Sequence, residues 1–306
     1  MATSITTTYA GEFAGKYISA ALLSADTIEG GGITVKPNVK YKEVMKTLST
    51  NALVKDAACD FADQSTVTLA ERILQPEEFQ VNLELCKKDF HNDWEAIQMG
   101  YSAFDSLPPS FADFLIGHIA AKVAQKTEET IWTGTTATAG EFDGFATLLA
   151  ADATVIDVVG TTVTAANVID ELGKVVDAIP TSVYGKEDLY IYVSQSIARA
   201  YVRALGGFGA SGLGANGVNN AGTTWYNGGD LAFDGVKLFV CSGMADNDMV
   251  AAQKSNLFFG TGLLSDHNEV KLIDMADLDG SQNVRVVMRF TSGVQYGIGA
   301  DIVYYT

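Results

Sequence analysis

The chain has 306 residues, 47% of them hydrophobic, enough to bury a sizeable core as one large domain or two smaller ones. A formal net charge of −17 at pH 7 excludes a general nucleic-acid binder, because gripping a phosphate backbone takes a basic surface. Cys59, Cys86 and Cys241 are an odd number with no CxxC spacing, which suggests neither a disulfide framework nor a zinc site and reads as buried free thiols in a reducing cytoplasm.

The charge is uneven. Residues 1–55 hold Lys16, Lys36, Lys40, Lys42, Lys46 and Lys55 against Glu12, Asp26, Glu29 and Glu43, a net of +2, so the remainder carries −19. The N-terminal MATSITTTYAGEF lacks a basic start followed by an apolar run, so no secretory signal is expected. No apolar stretch approaches the roughly 18 residues of a membrane-spanning helix.

Taken in chain order, Tyr9, Phe13, Tyr17 and Ala21 recur at every fourth position and predict an amphipathic helix over residues 9–24. Gly30-Gly31-Gly32 breaks the pattern, and Ile33 to Val39 reads as extended, interrupted by Pro37. Together these make an arm that would reach onto a neighbouring copy through Tyr9, Phe13 and Tyr17. The alternative is an ordinary N-terminal helix packed on its own body.

Thr66–Leu69 and Phe79–Leu85 alternate in side-chain character, and Pro76 between them is a turn signal, so a β-hairpin is predicted over residues 66–85. A two-stranded ribbon is marginal in water. Val67, Leu69, Val81, Leu83 and Leu85 would therefore need the surface of another subunit. Residues 89–99 predict a short helix.

Leu107 to Gly134 (LPPSFADFLIGHIAAKVAQKTEETIWTG) carries the strongest helical signal. Pro108 and Pro109 fit only at or before a first turn. Phe111, Phe114, Leu115, Ile119, Val123 and Ile131 then fall on one face, and Gly134 is expected to close the helix as a left-handed cap.

Beyond it, Val155–Val159, Thr162–Val163, Leu189–Val193, Val236–Cys241 and Leu257–Phe259 read as strands. Ala165–Ile179 and Gln195–Leu205 read as helices. Three further strands are predicted at Val270–Asp274, Val284–Thr291 and Val294–Tyr305, the last two joined at Ser292-Gly293 as a hairpin. The pattern is α+β without regular βαβ alternation, which disfavours a Rossmann or barrel enzyme.

Chemical motifs are weak. Gly207-Phe208-Gly209-Ala210-Ser211-Gly212 spells GxGxxG, but it follows a helix rather than a strand and runs into more glycine up to Gly229, so a dinucleotide site is not supported. Asp274, Asp277 and Asp279 precede Gly280, yet the twelfth position from Asp277 is Met288 rather than Glu, which fits an acidic turn and not a calcium loop. His91, His118 and His267 stand in no HExxH or HxH pattern, and there is no GxSxG elbow. One long helix among extended segments suits a building block better than a pocket enzyme.

Four stretches carry a resemblance: Thr68–Ala96 (TLAERILQPEEFQVNLELCKKDFHNDWEA), Leu107–Gly134, Gly140–Phe145 (GEFDGF) and Asp234–Ala252 (DGVKLFVCSGMADNDMVAA). In their order and spacing the chain resembles, over nearly its whole length, the major capsid proteins of tailed bacteriophages, which share the Hong Kong 97 capsid fold. The resemblance implies residues 1–49 as an N-arm and 50–85 as an extended E-loop. It implies 86–136 and 264–306 as a P-domain on a spine helix, and 137–263 as an A-domain with Gly207–Gly229 near the capsomer axis.

It further implies a structural protein rather than an enzyme, with no cofactor or metal, assembling with itself as hexamers and pentamers. The shell so formed would enclose double-stranded DNA without sequence-specific binding, as the virion capsid, put together in the host bacterial cytoplasm and away from any membrane. A portal would be a partner, as would a separate scaffolding or decoration protein if one is used, since the stretch ahead of the hairpin is short for a built-in scaffold. Subunit contacts would fall to Val67, Leu69, Val81, Leu83 and Leu85 of the E-loop and to Tyr9, Phe13 and Tyr17 of the arm. The cross-linking Lys–Asn–Glu trio of some members is assigned to no residue. An acidic body would let packaged DNA slide; equally, acidity keeps a protein soluble. The alternative reading is an encapsulin, a cellular nanocompartment of the same fold around a cargo enzyme, which the longer hairpin loop and arm disfavour.

Overall fold

The computed structural model of the chain describes residues 26–50, 54, 56, 57, 59, 66–86, 109–206, 231–262 and 271–306. In chain order its elements are α1 (Asp26–Glu29), β1 (Thr34–Pro37), β2 (Glu43–Thr50), β3 (Val67–Leu74), β4 (Glu77–Cys86) and α2 (Pro109–Thr133). There follow α3 (Phe145–Ala150), β5 (Ile156–Val158), α4 (Val168–Asp177), β6 (Leu189–Ser194), α5 (Gln195–Gly206), β7 (Ala232–Phe233) and β8 (Val236–Cys241). The chain continues with β9 (Met249–Gln253), β10 (Leu257–Thr261), β11 (Lys271–Asp274), α6 (Ala276–Asp279), β12 (Asn283–Tyr296) and β13 (Val303–Tyr305). The predicted helices over 9–24 and 89–99 and the glycine loop from Gly207 to Gly229 lie outside the described residues.

The long helix forms as α2, a rod of about 37 Å at roughly 1.5 Å per residue. Ile116, Ile119, Val123, Ala124 and Ile131 are buried at the three- and four-residue steps that make one stripe. Gly134 does not cap it in the left-handed region, a conformation kept by Gly31, Gly140, Gly185, Gly235 and Gly280. Its amide still donates to the Thr130 carbonyl at 3.1 Å, while its own carbonyl accepts from the Gly144 amide at 2.9 Å and the Thr147 hydroxyl at 2.8 Å. A side chain there would collide with the Phe142 carbonyl and Thr130, so glycine is needed for close approach and not for handedness.

Two larger sheets flank the C-terminal half of α2. One runs β1-β10-β12-β11, with β4 along β12 as its fifth strand; the other runs β5-β13-β9-β6-β8-β7. On the six-stranded sheet, Leu172 and Val175 of α4 and Ile197 and Tyr201 of α5 pack on Ile191 and Ala251. Its opposite face meets the end of α2, where Trp132 lies 5.3 Å from Tyr192 and 5.4 Å from Phe145, ring centre to ring centre.

The hairpin predicted at Ser292-Gly293 is absent: β12 is one 14-residue strand through both residues. It is held on both sides there, Ser292 opposite Glu77 and Gly293 opposite Gly260, and a Cβ on Gly293 would sit 3.0 Å from Gln75 O and Pro76 Cα. Glycine here admits a crossing chain instead of turning its own. Thr162–Val163 forms no strand, and β9, which alternation did not single out, is buried at all five positions. The expected segments 137–263 and 264–306 do not coincide with the sheets, since β10 joins the five-stranded sheet and β13 the six-stranded one.

Glu171 of α4 is buried and ties that helix to the last strand. It accepts from Lys174 Nζ, Tyr305 Oη and Thr161 Oγ1, each at 2.8 Å. The Lys174 bond first, then the two hydroxyls, hold its carboxyl down at about 2 against the opposing pull of burial. A depressed carboxylate contributes stability above its ordinary 4.5, and loses it as pH falls towards 2. Glu171→Gln is expected to cost about 2 kcal/mol at neutral pH and to flatten this part of the acid limb. Urea unfolding between pH 2 and 7 measures both effects.

Candidate assembly surface

β3 pairs with β2 as a two-stranded ribbon, and not with β4. Glu43 to Thr50 runs antiparallel to Leu74 to Val67, whereas Glu77 to Cys86 pairs with Ser292 to Asn283. The expected hairpin at 66–85 is thereby corrected. Pro76 sends the chain from the ribbon into the five-stranded sheet, where β12 offers a full-length partner.

Val81, Leu83 and Leu85 stand opposite the buried Met288, Val286 and Val284 of β12, and are half-buried on β4 between exposed Gln80, Asn82 and Glu84. They are paired and partly covered within their own chain. Val67 and Leu69 are different, being 56% and 72% exposed.

The register divides the ribbon into two faces. Val44 opposes Ile73, Lys46 opposes Glu71, Leu48 opposes Leu69 and Thr50 opposes Val67, so these eight side chains share one face. Val44, Leu48 and Ile73 are exposed as well as Val67 and Leu69, giving an apolar stripe of five residues with one opposite-charge pair in its midst. Val44, Leu48 and Ile73 were not read from the sequence, although EVMKTLST carries the same alternation. The other face carries Leu74, fully buried, and Met45, which pack with Val39 and Phe258 and anchor the ribbon's root in the body.

The segment ahead of the ribbon is anchored too. Glu128 of α2 is buried and accepts from the Thr27 amide at 3.0 Å and from the Thr27 hydroxyl. Trp132 Nε1 donates to Thr27 Oγ1 at 2.8 Å. Burial foremost, aided by the nearby Asp26 charge, pushes the Glu128 carboxyl up against those hydrogen bonds. Gly30 and Gly32 lie on the Phe239 ring, where a Cβ would come within 2.7 and 2.9 Å of its Cζ, so the triglycine is a packing surface as well as a helix break. Tyr9, Phe13 and Tyr17 lie outside the described residues.

Among the described residues no group of three or more His, Cys, Asp and Glu is placed to hold a metal, and no helix is long and apolar enough to cross a membrane. What the surface offers chemically is a covered root, an uncovered apolar stripe and two buried carboxylates that join elements together.

No family model and no curated protein matches the sequence. Solved structures do match. A chain of the capsid of a native GTA particle is 14% identical, with a TM-score of 0.60 over 100% of this chain and 94% of its own. A chain from Microbacterium phage Oxtober96 is 16% identical, with a TM-score of 0.57 and the same coverage. A virus-like particle from Pyrococcus furiosus gives 10% identity and a TM-score of 0.53 over 95% of this chain and 98% of that one. The chain therefore has the α+β fold of phage capsid subunits, the Hong Kong 97 type that the sequence resembles.

Proposed function

We propose that this chain is the major capsid protein of a tailed bacteriophage, a structural subunit that assembles with itself, as hexamers and pentamers, into the icosahedral shell around a double-stranded DNA genome. The observation that carries this reading is the ribbon's stripe of Val44, Leu48, Val67, Leu69 and Ile73, exposed on a chain whose whole length follows capsid subunits in fold. A two-stranded ribbon that buries nothing on one face is marginal alone and gains most from a neighbour's surface.

In this reading the five-stranded sheet with α2 forms the P-domain and the six-stranded sheet with α4 and α5 forms the A-domain. The E-loop begins at β2, near residue 43, and not at residue 50. Residues ahead of it form the N-arm, with Tyr9, Phe13 and Tyr17 as contacts. The protein acts without catalysis, metal or cofactor. Its place is the virion capsid, assembled in the bacterial cytoplasm, with a portal and any scaffolding or decoration protein as further partners. The surplus of acidic residues disfavours tight contact with the enclosed DNA.

An encapsulin-type compartment is the second reading, favoured by the likeness to the Pyrococcus furiosus particle. Electron microscopy of the purified, recombinant chain tests the proposal. Closed shells are expected, with unassembled subunits binding duplex DNA more weakly than micromolar at physiological salt. A strictly monomeric species across salt and protein concentration would overturn it, and uniform small particles packed with protein cargo in the native cell would favour the second reading.

A further inference from the structure

The ribbon leaves the body at one polar cluster. Arg72 of β3 points to the same face as Met45 and the buried Leu74. Its guanidinium donates to Asp152 Oδ2 and lies 4.2 Å over the Tyr296 ring. Tyr296 Oη donates to that same Asp152 oxygen at 2.7 Å, while the Thr154 amide and hydroxyl donate to Asp152 Oδ1 at 2.9 and 2.8 Å. On the neighbouring strand position, Gln295 Nε2 donates to the Ile73 carbonyl at 3.1 Å. The ribbon, the segment after α3 and the end of β12 thus meet on one carboxylate. These hydrogen bonds, led by the Thr154 amide, hold that carboxyl well below the usual carboxylate range, so the cluster stays charged at any pH a shell would meet.

Outward of Arg72 and Met45 every described ribbon residue is exposed apart from the half-buried Thr47. Five residues of β2, Lys46 to Thr50, therefore project as a lever of about 17 Å, at roughly 3.4 Å per residue. A 10° tilt at the root would displace the tip by about 3 Å, close to the spacing of successive residues along a strand. A stripe of side chains repeating every second residue tolerates little such error if it is to seat on another subunit.

We propose that Arg72, Asp152 and Tyr296 form a clamp that fixes the pitch of the ribbon, presenting its apolar stripe pre-aligned to a second copy of this chain. The inference rests on the shell-forming reading above for its consequence, though not for its geometry. Arg72 is a positioning residue here: it does not lie in the stripe and acts through the ribbon's angle. Lysine is a poor substitute, since it keeps the charge but lacks the planar group that stacks on Tyr296 while bonding Asp152.

Amide hydrogen exchange on the unassembled full chain, together with particle yield, tests the clamp. In Arg72→Ala, amides of residues 44–50 and 67–71 are expected to exchange at least tenfold faster, those of β6 and β12 to stay unchanged, and shell yield to fall severalfold. Arg72→Lys should fall between this variant and the wild type. Ser49→Ala, on the clamp's own face but exposed and further outward, should leave ribbon exchange within twofold of wild type. Unchanged ribbon exchange in Arg72→Ala would overturn the clamp, and so would uniform loss of protection across the whole subunit, which would mark Arg72 as a general stabiliser. If the wild-type chain never forms shells, the shell-forming reading fails, while the exchange measurements still decide for or against the clamp.

Discussion

Placing aspartate at Val44 and Leu69 together is expected to abolish shell formation while leaving the subunit folded. Both residues lie in the exposed stripe, on opposite strands but not directly opposite each other, so the new charges do not repel across a ladder pair. Exposed substitutions of this kind change subunit stability by about 0.5 kcal/mol or less. In an interface each loses roughly 2 kcal/mol of apolar burial, and each charge adds a desolvation cost of several more. Repeated at every subunit contact, that should lower particle yield at least a hundredfold. Circular dichroism of the unassembled chain should match the wild type, and electron microscopy should show no shells. Val81→Asp with Leu83→Asp makes the contrast. These residues face their own sheet beside Met288 and Val286, so the pair should unfold or severely destabilise the subunit itself.

Glu128→Ala is expected to be the most destabilising single change in the anchorage of α1, at about 3 kcal/mol. It strands the Thr27 amide and the Thr27 hydroxyl in a buried site without their acceptor. Glu128→Gln should cost less, about 1–2 kcal/mol, because one oxygen remains while the new amide faces donors. The two carboxylates differ in the sign of their pH dependence. Burial raises the folded Glu128 above its ordinary value of 4.5, so its favourable contribution is fully present below 4.5 and is lost as pH rises through the raised value. Glu128→Gln should remove that decline, and Glu171→Gln should remove the acid-side loss instead. Denaturant midpoints across pH 3 to 8 separate them.

Much of the fold was legible from periodicity. The stripe of α2, the apolar run of β6 and the helical pattern of α4 each satisfy a local rule that tertiary structure then uses unchanged. Strand pairing was not legible in the same way. Alternation places Thr66–Leu69 and Phe79–Leu85 in strands, but pairing is settled by what lies beside each, and β12, about two hundred residues further on, is the better partner for β4. Ser292-Gly293 misled for the same reason, since glycine serves both a turn and a crossing, and only the neighbouring Gln75 and Pro76 tell which. On the exposed ribbon face, alternation singled out Val67 and Leu69, while Val44, Leu48 and Ile73 carry the same signal unread. Arg72, Asp152 and Tyr296 carried none, because three positions so far apart in the chain share no pattern until the fold gathers them.

The place of β13 bears on timing. This strand sits inside the six-stranded sheet between β5 and β9, and the Thr306 amide donates back to the Val158 carbonyl. Until Val303 to Tyr305 leave the ribosome, β5 has no neighbour in that sheet and β9 keeps one edge open. Loop closure over such a span is slow, and open edges invite wrong pairings in the interval. A fragment ending short of Val303 cannot finish this sheet. Translation must therefore pass Tyr305 before the six-stranded body can close.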